Sequence, residues 1–270
     1  MKVGIIGYGS MGKMLLMKFS ESGEIRSDDL YISNRTISKI EEAPDKYVIC
    51  SSNKELAKLS DIVFICTRPS DLLMVVEEIA DVIREDALIV SLNGSITFET
   101  LEAVSSRKYA KVIPSITAEI NRSQTLVTYN GAVDDRDKKA LSDILFWIGN
   151  VIVLPENEMG MGSELVSCMP GFIASMFDVV CRSAKKHTSI SEEQIIRMVL
   201  DTLCSTGELM LQKEMSFEDV VRRVATKGGI TEVGTRVIYD EFPDTADAMF
   251  DKTLAKRRET ASIGQTSDKR

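Results

Sequence analysis

Two regimes of apolar patterning divide the chain. From Lys2 to Leu154, short apolar runs alternate with stretches of helical period. The runs are Lys2 to Ile6, Leu30 to Ser33, Val48 to Cys50, Ile62 to Cys66, Ala87 to Leu92, Lys111 to Ile113, Thr125 to Tyr129 and Val151 to Leu154. Short, nearly continuous apolar runs are the signature of strands buried on both faces. Between them the pattern predicts helices from Met11 to about Glu21, from Pro69 to about Ile83, and from Thr97 to Val104. Leu141, Ile144, Leu145 and Ile148 mark one face of another helix, which Gly149 ends. This alternation predicts an α/β domain over residues 1–156: a Rossmann-type, doubly wound, mostly parallel sheet with helices on both faces.

After Pro155 only helical period remains. Leu165, Met169, Phe172, Ile173, Met176 and Val180 share a face of a long helix from Met159 to about His187, which Pro170-Gly171 should interrupt. A capping box at Ser191 to Gln194 opens a second helix, and Ser216 to Asp219 opens a third. Two more are expected, over 231–240 and from Asp244 to about Arg258. An all-helical domain over 157–258 follows, with a polar tail at 259–270 too poor in apolar residues to fold. A helix of ~29 residues would be roughly 44 Å long, awkward for so small a domain alone. Its apolar faces therefore predict a homodimer through this half.

Composition narrows the classes. A formal charge of −8 disfavours a nucleic-acid surface but permits one basic pocket. Five cysteines without a CxxC pair suit reduced thiols in the cytoplasm. The apolar runs look too short to cross a membrane. His187 is the only histidine, which disfavours histidine acid–base chemistry and a histidine-rich metal site, so no metal is expected.

Gly7, Gly9 and Gly12 follow the first strand and open a helix, with Tyr8, Ser10 and Met11 between them. Such a turn lets backbone amides and the positive helix end approach a pyrophosphate. At the end of the second strand, NAD-binding chains carry an acid for the ribose 2′-hydroxyl; here stand Asn34, Arg35 and Thr36. A guanidinium and two polar side chains suit a 2′-phosphate, so NADP(H) is the expected cofactor. Thr67, Arg68, Pro69, Asn93 and Gly94 follow two other strands, at the sheet edge where ligands bind. Asn53 suits either a helix cap or an adenosine contact.

In the helical half, Thr226-Lys227-Gly228-Gly229-Ile230-Thr231 places two glycines before a helix. Successive N–H groups there can converge on a carboxylate, with Thr231 at the expected N-cap.

Taken in order, GYGSMG, NRT, SNKE at 52–55, DIVFICTRP and KGGIT resemble the pyrroline-5-carboxylate reductase family from Lys2 to about Arg258. The resemblance implies reduction of Δ1-pyrroline-5-carboxylate to L-proline, on dimers that often build decamers. It assigns Asn34, Arg35, Thr36 and Asn53 to the 2′-phosphate end, and Thr67, Arg68, Pro69, Asn93 and Gly94 to the nicotinamide. It assigns Gly228, Gly229, Ile230 and Thr231 to the imino-acid substrate, with Glu214 close by. Thr231 is the candidate catalytic residue.

Three features depart from the family pattern: Met169 in place of a helix-contact glycine, the segment Ile113 to Ala118, and Lys227 in place of a proline. The first two are similar to the late-competence branch of the family. They open two alternatives, a non-catalytic NADP(H)-binding regulator and a reductase of another cyclic imino acid. A β-hydroxyacid substrate is disfavoured, because Lys185 and Lys186 stand at the far end of the long helix.

Overall fold

The computed structural model describes residues 1–40 and 46–266. Eight strands form one sheet in the order β3-β2-β1-β4-β5-β6-β7-β8. They are β1 Val3–Ile6, β2 Leu30–Ser33, β3 Val48–Ile49, β4 Ile62–Ile65, β5 Leu88–Ser91, β6 Lys108–Ile113, β7 Ser123–Tyr129 and β8 Gly149–Val153. β1 to β6 pair in parallel; β7 runs antiparallel to β6, and β8 parallel to β7. Every strand the pattern marked is present.

Helices α1 Ser10–Ser22, α2 Asn53–Leu59, α3 Pro69–Ala80, α4 Phe98–Val104 and α5 Asp135–Leu145 cover the sheet. The alternation of side chains across the pleat makes two cores. On one face Val3, Ile5 and Phe64 pack with Leu15, Leu16 and Phe19 of α1 and with Leu141, Ile144 and Leu145 of α5. On the other, Ile6, Val63 and Ile65 pack with Leu56 of α2, Leu72, Val75, Val76 and Ile79 of α3, and Leu101 of α4. Each such buried side chain contributes about 1.5–3 kcal/mol by leaving water.

The chain forms two compact units: Met1–Pro170 together with residues from Leu254 onward, and Gly171–Thr253. The apolar pattern changes near Pro155, but α6 Met159–Ser163 packs on the sheet unit. A Cβ on Gly162 would stand 2.7 Å from Leu154 Cδ1 and 2.8 Å from Leu126 Cδ1, so any larger residue would have to displace these leucine ends.

Two helical expectations need correction. The long helix is not broken at Pro170-Gly171; a π-helical turn at Glu164–Cys168 links α6 to α7 Met169–Lys185. Pro170 lacks an N–H, and the widened turn before it accommodates the ring within a continuous helix. Likewise, the helices expected over 231–240 and from Asp244 are one, α10 Ile230–Thr266, with Pro243 inside. A proline removes one backbone bond per helix, and the turns on either side supply enough others to carry the helix through. It also passes Arg258, where the pattern fades; the last four tail residues, 267–270, lie outside the described residues.

The second unit further contains α8 Glu192–Gln212 and α9 Phe217–Val224. Ser191 caps α8, accepting from the Gln194 N–H at 3.3 Å, and Ser216 with Asp219 completes a reciprocal capping box on α9. Ile195 is the one large apolar side chain of this unit that is buried, among the described residues. Val179, Met198, Leu211, Phe217 and Val237 are all more than half exposed. The helix over Glu156–Lys185 is 30 residues long and apolar enough to cross a membrane by length and composition. That corrects the reading of the apolar runs as uniformly short: the helical period interleaves polar residues and hides the length.

Candidate functional site: a dinucleotide crevice and a glycine loop

The C-terminal ends of β1, β2 and β4 open onto a crevice of roughly 690 Å³. Gly7 sits there at φ +103°, a backbone conformation that side chains oppose, and its N–H donates to the Ser33 carbonyl at 2.8 Å. A Cβ on Gly12 would lie 2.0 Å from the Gly7 carbonyl oxygen, so the helix can start this close to β1 only without a side chain. By contrast, a Cβ on Gly9 would meet nothing within 4 Å; that space belongs to the crevice. α1 has no side-chain cap, which leaves its first-turn amides and positive end available to an anion.

Along one wall, Asn34 ties the glycine turn to the second loop. Its Oδ1 accepts from the Tyr8 N–H at 3.2 Å, and its Nδ2 donates to the Thr36 carbonyl at 2.8 Å. Arg35 and Thr36 are exposed beside it, and Lys39 lines the same wall. Lys39 was not singled out from the sequence, although its spacing of four from Arg35 across a 3-10 turn brings a second cation to the pocket.

Asn53 is not the cap of α2. Ser52 caps it, accepting from the Glu55 N–H at 3.2 Å, because Ser52 has the extended backbone that a cap needs. Asn53 instead stands in the first turn with Oδ1 accepting from Ser33 Oγ and Nδ2 donating to Glu78 Oε2, both at 2.8 Å. It therefore lines the crevice. Glu78 lies on the wall with it and was missed, since a single acid on a surface helix carries no sequence signal.

Of the proposed cofactor contacts, Gly7, Tyr8, Gly9, Asn34, Arg35, Thr36, Asn53, Thr67 and Arg68 line this crevice. Ser10, Met11, Gly12, Pro69, Asn93 and Gly94 do not. Ser10, Met11 and Gly12 form the first turn of α1, and Pro69 opens α3. Asn93 and Gly94 follow β5, the next strand along the edge.

Thr67 Oγ1 and Asn93 Nδ2 are buried and have no hydrogen-bond partner. Asn93 Oδ1 is held by the N–H groups of Ser95 at 2.7 Å and Ile96 at 3.3 Å, so its orientation is set while its amide nitrogen remains unspent. Orphaned buried polar atoms are costly, and at the open edge of a parallel sheet they fit a ligand that completes them. With the glycine turn and the Arg35 wall, they suit a phosphorylated dinucleotide.

Beside this edge, Lys111 is buried, ion-paired with Glu156, and lies 4.6 Å from the Phe98 ring centre. Glu156 also accepts from the Phe98 N–H at 2.8 Å. Burial pushes the Lys111 amine below its usual range against the pull of Glu156.

In the other unit, Gly228 turns at φ +73° and Gly229 precedes α10, its N–H donating to the Thr226 carbonyl at 2.8 Å. The helix starts at Ile230, so Thr231 is not the N-cap but the second helical residue, exposed to solvent. The pair of glycines takes up the turn and moves the helix start one position ahead of Thr231. Ile230 is 94% exposed, which leaves the mouth of the loop apolar. The Gly228 N–H donates to a carboxylate, Glu232 Oε2, at 2.7 Å. Glu214 has a different local role: at φ +51° it ends α8, and the Met215 N–H closes back on the Met210 carbonyl at 2.9 Å. Among the described residues no group of three His, Cys, Asp or Glu is arranged to hold a metal ion.

Two family models match the chain. One, described as NADP oxidoreductase coenzyme F420-dependent, matches residues 2–94. The other, pyrroline-5-carboxylate reductase dimerisation, matches residues 156–260. Pyrroline-5-carboxylate reductase 3 of Bacillus subtilis (strain 168) is 31% identical over 258 residues, covering 94% of this chain and 95% of the relative. ComE operon protein 4 of the same organism is 27% identical over 97% of each chain. The crystal structure of Plasmodium falciparum pyrroline carboxylate reductase with NADP bound shares the fold, with a TM-score of 0.86 and 22% identity over 96% of this chain and 98% of that one. With a Rossmann-type unit, a helical dimerisation segment and a relative of this identity over nearly its whole length, the chain belongs to the pyrroline-5-carboxylate reductase family.

Proposed function

We propose that the protein reduces Δ1-pyrroline-5-carboxylate to L-proline with NADPH, in the cytoplasm. The observation that carries this reading is the crevice at the strand ends, where the glycine turn, the Arg35 wall and the unpartnered Thr67 Oγ1 converge. The bound nicotinamide would supply a hydride to the carbon of the protonated C=N bond, leaving a secondary amine.

The chain's own residues position and hold. First-turn amides of α1 face the pyrophosphate, and Arg35 with Lys39 takes the 2′-phosphate. Thr67, Arg68, Pro69, Asn93 and Gly94 flank the nicotinamide. Gly228 and Gly229 take the substrate carboxylate, in the way the Gly228 N–H already receives that of Glu232. Glu214, at the end of α8, is a further candidate for the substrate. The Thr231 hydroxyl hydrogen-bonds to the ring nitrogen, which needs a proton but no strong acid, because an iminium is already electrophilic. The absence of a histidine from this set is therefore no obstacle.

The exposed apolar faces of α7, α8 and α10 fit burial against a second copy of the chain, as the dimerisation match suggests, with decamers as a further level. The same burial accounts for the apolar 30-residue helix without a membrane.

A second reading has its own support. The half-buried Met169 at the start of α7 and the match to ComE operon protein 4 fit a catalytically divergent regulator that binds NADP(H). Oxidation of NADPH in the presence of Δ1-pyrroline-5-carboxylate, with NADH in parallel, separates the two. Turnover preferring NADPH supports the reductase; tight NADPH binding without turnover on any cyclic imino acid supports the regulator.

A further inference from the structure

The crevice carries an acid that the scheme above leaves unused. Glu78 is exposed and lines the crevice from α3, on the helix face it shares with Asp71, Met74 and Val75. Its Oε2 accepts from Asn53 Nδ2 at 2.8 Å, and Asn53 Oδ1 in turn accepts from Ser33 Oγ at 2.8 Å. Ser33 is the last residue of β2 and is buried. Two hydrogen bonds therefore tie the Glu78 carboxylate to the end of β2. Asp71, the other acid on this face, accepts instead from its neighbour Ser70 at 3.1 Å.

In a dinucleotide fold the end of β2 is where the adenosine ribose is read. A carboxylate there accepts from the 2′-hydroxyl of NAD, and an arginine nearby holds the 2′-phosphate of NADP. This chain brings both kinds of group to the crevice, from different elements. Arg35 and Lys39 come from the loop after β2, and the acid that the end of β2 lacks comes from α3. Among the described residues only Oε2 of Glu78 is committed, so Oε1 is left to accept from a ligand hydroxyl. Asn53 fixes the carboxylate before any ligand arrives, which lowers the cost of ordering it on binding. Resting on the NADP(H) reading above, we propose that Glu78 is a specificity-determining residue of the cofactor site: it accepts from the ribose 2′-hydroxyl of NADH and opposes the 2′-phosphate of NADPH. The cations and the acid together set a graded preference. The protein takes both cofactors, and Arg35 and Lys39 favour NADPH only as far as Glu78 allows.

The test is a pair of binding titrations, with NADPH and with NADH, on the full wild-type chain and on Glu78→Gln. Glutamine keeps an oxygen that can accept from Asn53 and removes only the charge. The variant should bind NADPH several-fold more tightly and NADH several-fold more weakly. The ratio of the two affinities should move toward NADPH by on the order of tenfold, as fits one acceptor weakened and one repulsion removed at a solvent-facing site. An equal change for both cofactors, no change, or a shift toward NADH overturns the proposal; the first of these leaves Glu78 only as a support for Asn53. Wild type that binds NADPH but no NADH overturns it as well, and that comparison decides even if the variant does not fold. Wild type that binds neither cofactor would instead remove the cofactor reading beneath it, and this inference with it.

Discussion

At the scale of single residues, chemistry is set by what each side chain has left unspent. Arg35 is exposed on the crevice wall, so its guanidinium is available to a 2′-phosphate. Arg35→Ala should weaken NADPH binding by about ten- to a hundredfold, the range for a lost charge-assisted contact, and leave NADH binding unchanged. Parallel titrations with the two cofactors check this, and equal losses would rule the contact out. Thr231→Ala should lower kcat by about a hundredfold, the scale of one transition-state donor, with the NADPH dissociation constant unaltered; steady-state kinetics beside a binding titration separate the two. Cys50 is 1% exposed, and burial with the nearby Glu55 carboxylate pushes its thiol up to about 11. A thiol that keeps its proton longer when folded contributes fully below its ordinary value of 9.0 and loses that contribution as pH rises through 11. Urea melts from pH 8 to 11 should therefore show falling stability, with a shallower fall in Cys50→Ala.

Helices and strands follow from local pattern wherever one rule dominates. Ser216 accepts from the Asp219 N–H at 3.1 Å while Asp219 accepts from the Ser216 N–H at 3.0 Å. The S-x-x-D spacing marked this start in the sequence, and removing the cap in Ser216→Ala should cost about 1 kcal/mol, read as a lower urea midpoint. Where two rules compete, pattern fails. Pro170 and Pro243 each suggest a break, yet α7 and α10 run through both, the first by widening a turn at Glu164–Cys168. Thr231 reads as a cap until Gly229 takes that position, and Asn53 until Ser52 does. Ser52 and Asn53 are adjacent with similar capping chemistry, and the extended backbone at Ser52 chooses between them; at α10 the glycine turn starts the helix before Thr231.

On the scale of the whole molecule, the two units differ in how they satisfy their apolar residues. The sheet unit has a core on each face of its eight strands. The helical unit leaves most of its large side chains on the surface, with Leu211 at 76% and Phe217 at 80%. Such a surface predicts a dimer or larger assembly in analytical ultracentrifugation, and a shift toward monomer in Met198→Glu, whose side chain is 59% exposed on α8. A monomeric wild type would remove the proposed partner.

By itself the sequence determined the eight strands, the class of the fold, the glycine turn and the arginine wall. Each depends on periodicity or on residues a few positions apart, and such short-range constraints act in any context. Tertiary structure decided the rest. Glu78 and Lys39 reach the crevice only because α3 and the 3-10 turn after β2 pack where they do. Glu164 and Arg257, 93 residues apart, meet through folding alone. No local pattern marks a lone acid and a lone arginine on separate helices as partners. It took burial of the Glu164 carboxylate to distinguish that pair from the charges on the surface.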